Sequence, residues 1–109
     1  MQFDARTVDV PTAGTRVQVL NDPRRVLWIR FHARAANVGL VYVGDTNVSA
    51  TRGRALSPDG TVNALSTTEY NFGAFLSPTT RSPGGVAMST FWVDTTTNGN
   101  DVDWEAIFV

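Results

Sequence analysis

A chain with one histidine, no cysteine and no lysine has few routes to catalysis. His32 lies between Arg30 and Arg34 in a run that alternates apolar and polar residues. Without cysteine or a second histidine, thiolate catalysis and most zinc sites are excluded. Without lysine there is no Schiff base and no P-loop. A Ser-His-Asp triad could be drawn from the residue types present, but no G-x-S-x-G turn presents a serine. A carboxylate pair for glycoside hydrolysis could come from Glu69, Glu105 and the aspartates, yet no spacing marks two of them as acid and base. Oxygen ligands for calcium gather at Asp94, Asn98, Asn100, Asp101 and Asp103, but not at EF-hand spacing. Turns collect Asn and Asp for backbone reasons alone. The residues read as a non-enzymatic protein with no catalytic residue, cofactor or metal, and His32 as a packed or interfacial imidazole.

The chain has 109 residues, enough for one domain with its own core. Its formal net charge of −1 provides no field to hold a phosphate backbone, so no nucleic-acid partner is expected. No apolar run approaches a membrane span, and MQFDARTVDV lacks the basic-then-apolar layout of a signal peptide. The expectation is a soluble protein, without a membrane partner and not exported by a standard signal. The sequon Asn47-Val48-Ser49 is then a chance match. All nine basic residues are arginine. A GC-rich genome explains that, and so does a preference for arginine, with its planar and weakly hydrated fork, in protein interfaces.

Threonine, valine and aromatic runs broken by Gly, Pro, Asn and Asp are the grammar of strands and turns. Strands are expected at 15–20, 25–34, 38–43, 61–65, 87–94 and 102–109, with turns at Asn21-Asp22-Pro23, Ser57-Pro58-Asp59-Gly60 and Asn98-Gly99-Asn100-Asp101. The last is a hairpin signal, because Asn-Gly supplies positive φ angles. No helical stripe is present, so the fold class is all-β: a single β-sandwich or jelly-roll-like domain of short antiparallel strands spanning 1–109. Segment 66–86 fits least. Its Phe72 and Phe75 make it either a long aromatic loop tucked over one end of the sandwich or an arm that docks on a neighbouring subunit.

Alternation in 25–34 puts Leu27, Ile29, Phe31 and Ala33 on one face and Trp28, Arg30, His32 and Arg34 on the other. A tryptophan among arginines has the composition of an interface, or of a surface ring covered by arginine stems. In 102–109, Val102, Trp104, Ala106 and Phe108 face one way. Ile107 and Val109 make the far side apolar too, so the strand is either central in its sheet or covered by a partner.

The polar loop after Val41-Tyr42-Val43 raises the question of whether it is a site or a connector. Ala35-Ala36-Asn37-Val38-Gly39-Leu40-Val41-Tyr42-Val43-Gly44, then Val48-Ser49, then Leu56-Ser57-Pro58-Asp59-Gly60 resembles the small β-sandwich proteins of tailed-phage virions. These occur as head decoration (cement) proteins and as related head-fibre or tail modules. Phe91-Trp92-Val93-Asp94 followed by Asn98-Gly99-Asn100 resembles the end of such modules. Segment 66–86 is longer and more aromatic than that pattern. The resemblance implies a capsid decoration protein on the outside of the assembled head. Its partner would be the major capsid protein, and it would be a trimeric homo-oligomer made in the host cytoplasm and located in the virion. A receptor- or carbohydrate-binding module, stacking sugars on Trp28, Tyr70 or Trp92, is the alternative. In this reading residues 45–55 cross from one sheet to the other. The expected contacts are Trp28, Arg30 and Arg34 on the strand face, Asn47, Arg52 and Arg54 at the loop tip, and Phe72 and Phe75 in the arm.

Overall fold

Short apolar runs with interruptions every few residues build strands and little else. A computed structural model of the chain describes residues 2–65 and 86–109. Its strands are β1 (Gln2–Val10), β2 (Val17–Gln18), β3 (Arg25–Ala33), β4 (Val41–Gly44), β5 (Arg54–Leu56), β6 (Thr61–Leu65), β7 (Val86–Ala87), β8 (Trp92–Thr95) and β9 (Asn100–Phe108). A 3₁₀ turn, Met88–Thr90, separates β7 from β8. The first sheet has the order β1-β9-β3-β6, with β7 also on β3, and the second has β2-β8-β4-β5. Every pairing is antiparallel. The chain is thus an all-β domain of two antiparallel sheets in a sandwich-like arrangement.

The core lies between the sheets. Ile29, Phe31 and Ala33 from β3 and Val102, Trp104, Ala106 and Phe108 from β9 are buried with Val41, Val43, Leu56 and Val93 of the second sheet. Burying the larger of these, the valines, Leu56, Ile29 and the phenylalanines, stabilises by about 1.5–3 kcal/mol each. Phe31 and Phe91 meet with ring centroids 5.6 Å apart and tilted by 55°, in the range aromatic pairs prefer. Arg24 stands over the ring of Phe108, 4.0 Å from its centroid, and is held there by Asp22 and by the Gln2 side chain.

β9 is a central strand, paired with β1 along nine residues on one side and with β3 on the other. That accounts for its apolar far side at Ile107. The alternation expected in β3 needs one correction. Val26 pairs with Phe108 but Trp28 pairs with Ile107, so Leu27 is an extra residue. This bulge turns Val26 into the core and leaves Leu27 half-buried. Trp28, Arg30 and His32 keep the outward side.

Three connections also differ from expectation. Asn98-Gly99 turns the chain, with Gly99 at φ +81°, but it joins β8 of the second sheet to β9 of the first, so it is not a hairpin. Local residues specify a tight turn; which sheets it joins is set by the partners. Asn98 accepts from Ala13 N at 2.8 Å, and Gly99 N donates to Val10 O at 2.9 Å, which pins the turn to the end of β1. Residues 45–55 do not cross between sheets. They close a hairpin between β4 and β5, pairing Val41 with Leu56 and Val43 with Arg54. The crossing comes afterwards, at Ser57-Pro58-Asp59-Gly60. The expected strands at 15–20, 38–43 and 87–94 are shorter or broken, and β1 and β5 lie outside all the expected ones. Most of segment 66–86, including Phe72 and Phe75, lies outside the described residues, and its last residue, Val86, belongs to β7.

The hairpin loop is built from inside. Asp45 is buried, its carboxylate accepts from Asn47 N at 2.9 Å, and Val48 is only 2% exposed. Ser49 and Arg52 exchange backbone hydrogen bonds at the tip. Gly53 has φ +125°, and a Cβ there would stand 2.7 Å from Val43 O and 2.9 Å from Val48 Cγ2. Gly53→Ala should therefore lower stability by about 1–3 kcal/mol. Arg52→Ser, an exposed side chain beside it, should change stability by less than about 0.5 kcal/mol. Chemical denaturation of the two variants checks both values.

Candidate functional site

Directly paired residues on antiparallel strands share a face. The register therefore places the outward side chains of the first sheet in rows. One row is Phe3, Ile107 and Trp28. The next is Ala5, Glu105, Arg30 and Asn63, and the third is Thr7, Asp103, His32 and Thr61. Asp9 and Asp101 form a fourth, with Arg34 immediately after β3. An apolar end with Phe3 63% exposed thus adjoins a charged middle.

The charged residues are joined to one another. Arg30 pairs with Glu105. Arg34 Nε donates to Asp103 at 3.0 and 3.1 Å, and its Nη2 donates to Thr7 Oγ1 at 3.1 Å. The Thr7 hydroxyl donates to Asp103 Oδ1 at 2.6 Å. His32 Nδ1 is 3.7 Å from Asp103 Oδ2, and its Nε2 is 2.9 Å from Asp59 Oδ1. Asp59 reaches it from the turn after β5, where it holds φ +66° and its N–H donates to Ala33 O at 2.8 Å. The polar stretch after β4 thus ends in a turn that delivers a carboxylate to this face. Ion pairs this exposed are worth roughly 0–1 kcal/mol each, but a network of them holds the guanidinium groups in fixed directions.

Two carboxyls respond in opposite senses. Desolvation pushes Asp103 up, but hydrogen bonds from Thr7 and Arg34, the Arg34 charge and His32 outweigh it, so it is held below the ordinary aspartate range. Desolvation pushes Asp101 up, and the facing Asp9 carboxyl adds to that through a shared hydrogen bond and repulsion, against a smaller opposing effect of Arg34.

An open hollow of about 360 Å³ lies over this face, lined by Ala5, Thr7, Arg30, Arg34, Asp103 and Glu105 among others. Ala5 contributes a small side chain to this lining, and the others contribute hydrogen-bond donors and acceptors. The Thr7 hydroxyl proton is committed to Asp103, so His32 does not activate it as a nucleophile. Among the described residues no group of three or more His, Asp or Glu side chains is placed to hold a metal. The acidic turn around 94–103 is occupied with backbone: Asp94 accepts from Gly14 N and Thr95 N, and Asn100 brackets the backbone of Val38. Beside the hollow the row Phe3, Ile107 and Trp28 is apolar, and the guanidinium groups of Arg30 and Arg34 are held in place by Glu105 and Asp103.

The expected contact residues fall in two places. Trp28, Arg30 and Arg34 share the outer face of the first sheet. Asn47, Arg52 and Arg54 lie on the β4–β5 hairpin at the edge of the second sheet, all exposed. Phe3, Ala5 and Thr7 join the face through β1, a strand whose residues are mostly exposed on both sides and so carry no alternation to betray it. Compared with models of known protein families, with curated proteins and with solved structures, the chain gives no match.

The raised Asp101 carboxyl gives a signed prediction. The folded state holds this proton more tightly than the unfolded chain does, so the contribution to stability is present at pH below the ordinary aspartate range and is lost as pH rises through the raised value. Asp101→Asn should raise Tm at about neutral pH and lose that advantage below about pH 4, where the aspartate is protonated in both states. Thermal melts of the two proteins across this range are the check.

Proposed function

We propose that the protein is a non-enzymatic structural protein of a tailed-phage virion, a decoration protein that binds the outside of the assembled head and stabilises it. The major capsid protein is its partner, and the virion surface is its location after synthesis in the host cytoplasm. The observation that carries the docking part is the outer face of the first sheet, where Phe3, Trp28 and Ile107 align beside arginines held in ion pairs. Aromatic residues and arginine supply most of the energy at protein interfaces. The virion part rests on the sequence resemblance at 35–60 and 91–100.

The strand order supports a jelly-roll reading of the sandwich. With the two-residue β7 set aside, eight strands form two four-stranded sheets ordered β1-β9-β3-β6 and β2-β8-β4-β5, and every connection but the β4–β5 hairpin passes from one sheet to the other, the pattern of two interleaved Greek keys. Jelly rolls serve in viral capsids and in lectins, so the fold alone does not choose between docking and sugar binding. A ligand that binds only the assembled lattice stabilises it by mass action, and several weak contacts per assembly act together. The loop tip at Asn47, Arg52 and Arg54 is a second contact in this reading. A closed homo-oligomer, a trimer by resemblance, would supply the multivalency. The polar hollow, which Trp28 does not line but whose Arg30 and Glu105 stand one outer row away from it, favours one alternative, a receptor- or carbohydrate-binding module of a tail or fibre.

Trp28→Ala decides between them. On purified heads it should weaken attachment by about 2 kcal/mol, near thirtyfold, with circular dichroism unchanged. Attachment equal to wild type, with the fold intact, would overturn the decoration reading. Glycan-array binding that Trp28→Ala abolishes, in a protein that ignores heads, would establish the alternative.

A further inference from the structure

We propose that two copies of the chain join edge to edge through β1, antiparallel about a twofold axis at Ala5. β1 ends the first sheet, and β9 is its only hydrogen-bonded neighbour among the described strands. The side of β1 away from β9 therefore offers a row of backbone donors and acceptors. Such rows recruit further strands.

Which residues face that open side follows from the neighbouring ladder. Arg34 N donates to Asp101 O, so the odd-numbered residues of β9 turn their backbone groups to β3 and the even-numbered ones turn theirs to β1. Gln2, Asp4, Arg6, Val8 and Val10, paired with those even residues, are committed to β9. Phe3, Ala5, Thr7 and Asp9 point their N–H and C=O groups outward. The Ala5 N–H bears this out, donating to the carboxylate of its own Asp4 at 2.9 Å. That bond shields the edge in an isolated copy, and a pairing strand would replace it.

Charge then selects the register. A twofold axis at Arg6 would bring the two Arg6 side chains directly opposite each other. An axis at Thr7 would set Arg6 against the partner's Val8. Only an axis at Ala5 sets Asp4 against the partner's Arg6, and it does so twice. Within one copy Arg6 already bonds Asp4 at 3.0 Å, so the pairing exchanges that contact for one across the axis. These are non-hydrogen-bonded pairs, in which side chains come closest, so this register keeps opposite charges together where the Arg6 axis would force like charges into contact. The Ala5 methyls meet at the axis without obstruction, and Phe3 comes to lie against the partner's Thr7. The charges that discourage arbitrary strands at this edge are complementary to themselves in this one arrangement. The product is one sheet through both copies, with the two outer faces side by side. This twofold contact stands independently of the virion reading and differs from the threefold order that the resemblance implies.

The absence of cysteine gives a clean test. Hydrogen-bonded antiparallel pairs hold Cα atoms about 5.5 Å apart, within the range a disulfide spans. Ala5→Cys should cross-link to a dimer under mild oxidation or with a short bis-maleimide. Asp9→Cys, on the same edge but beyond the paired segment, should not. In sedimentation experiments wild type should form dimers, and Arg6→Asp should weaken them at least about tenfold. The exchange Asp4→Arg with Arg6→Asp should restore them, which separates loss of pairing from loss of fold. A wild-type monomer at every concentration, a trimer indifferent to Arg6→Asp, or equal cross-linking of the two cysteine variants would each overturn the proposal.

Discussion

The fold depends on β9 being hydrogen-bonded along both sides. Nine residues pair with β1 and most of the same residues pair with β3, so one strand fixes the register of three. Its alternation then does two things at once. Val102, Trp104, Ala106 and Phe108 fill the core, while Asp101, Asp103, Glu105 and Ile107 supply one member to each outer row. A slip of one residue would bury the acids and expose Trp104, so the register is specified by burial itself. The start of the strand is secured as well. Asn37 grips Asp101 through its N–H and C=O, and Asn100 grips Val38 in the same way, tying the β3–β4 crossing to β9.

Electrostatics refine this frame. The Arg6 guanidinium holds Asp4 below the ordinary carboxyl range, and Arg24 does the same for Asp22. With Asp103, these groups contribute stability above the ordinary range that is lost as pH falls. Asp101 acts in the reverse sense, facing Asp9 across the strand pair. The charged field is therefore a set of directed pairs with one frustrated position. In the proposed docking role, guanidinium groups already directed next to the Phe3, Ile107 and Trp28 row would need little further ordering on binding.

Much of this was legible in the residues. The outward set Trp28, Arg30 and His32 and the inward set of β9 follow from period two, and the turns at Ser57–Gly60 and Asn98–Asp101 follow from their residue types. Leu27 misled because a bulge is a property of the strand pair and leaves no mark in one strand alone. Asn98-Gly99 announced a turn correctly, but local chemistry does not say whether the two strands share a sheet. β1 was hidden because an edge strand wet on both faces has no apolar period, although it supplies Phe3, Ala5 and Thr7 to the face. The loop after β4 looked polar throughout because Val48 and Gly53, the residues that shape it, act singly. The pairing of Asp59 with His32, 27 residues apart, came only with the fold.

The proposed docking surface is the outer face of the first sheet. Hydroxyl-radical footprinting tests it directly, by comparing side-chain oxidation in the free protein and in the protein attached to purified heads. Phe3, Trp28 and Ile107 should lose labelling on attachment, while Trp92 and the other side chains on the second sheet's outer side should keep theirs. Protection confined to the second sheet, with Phe3 and Trp28 labelled as in the free protein, would contradict it.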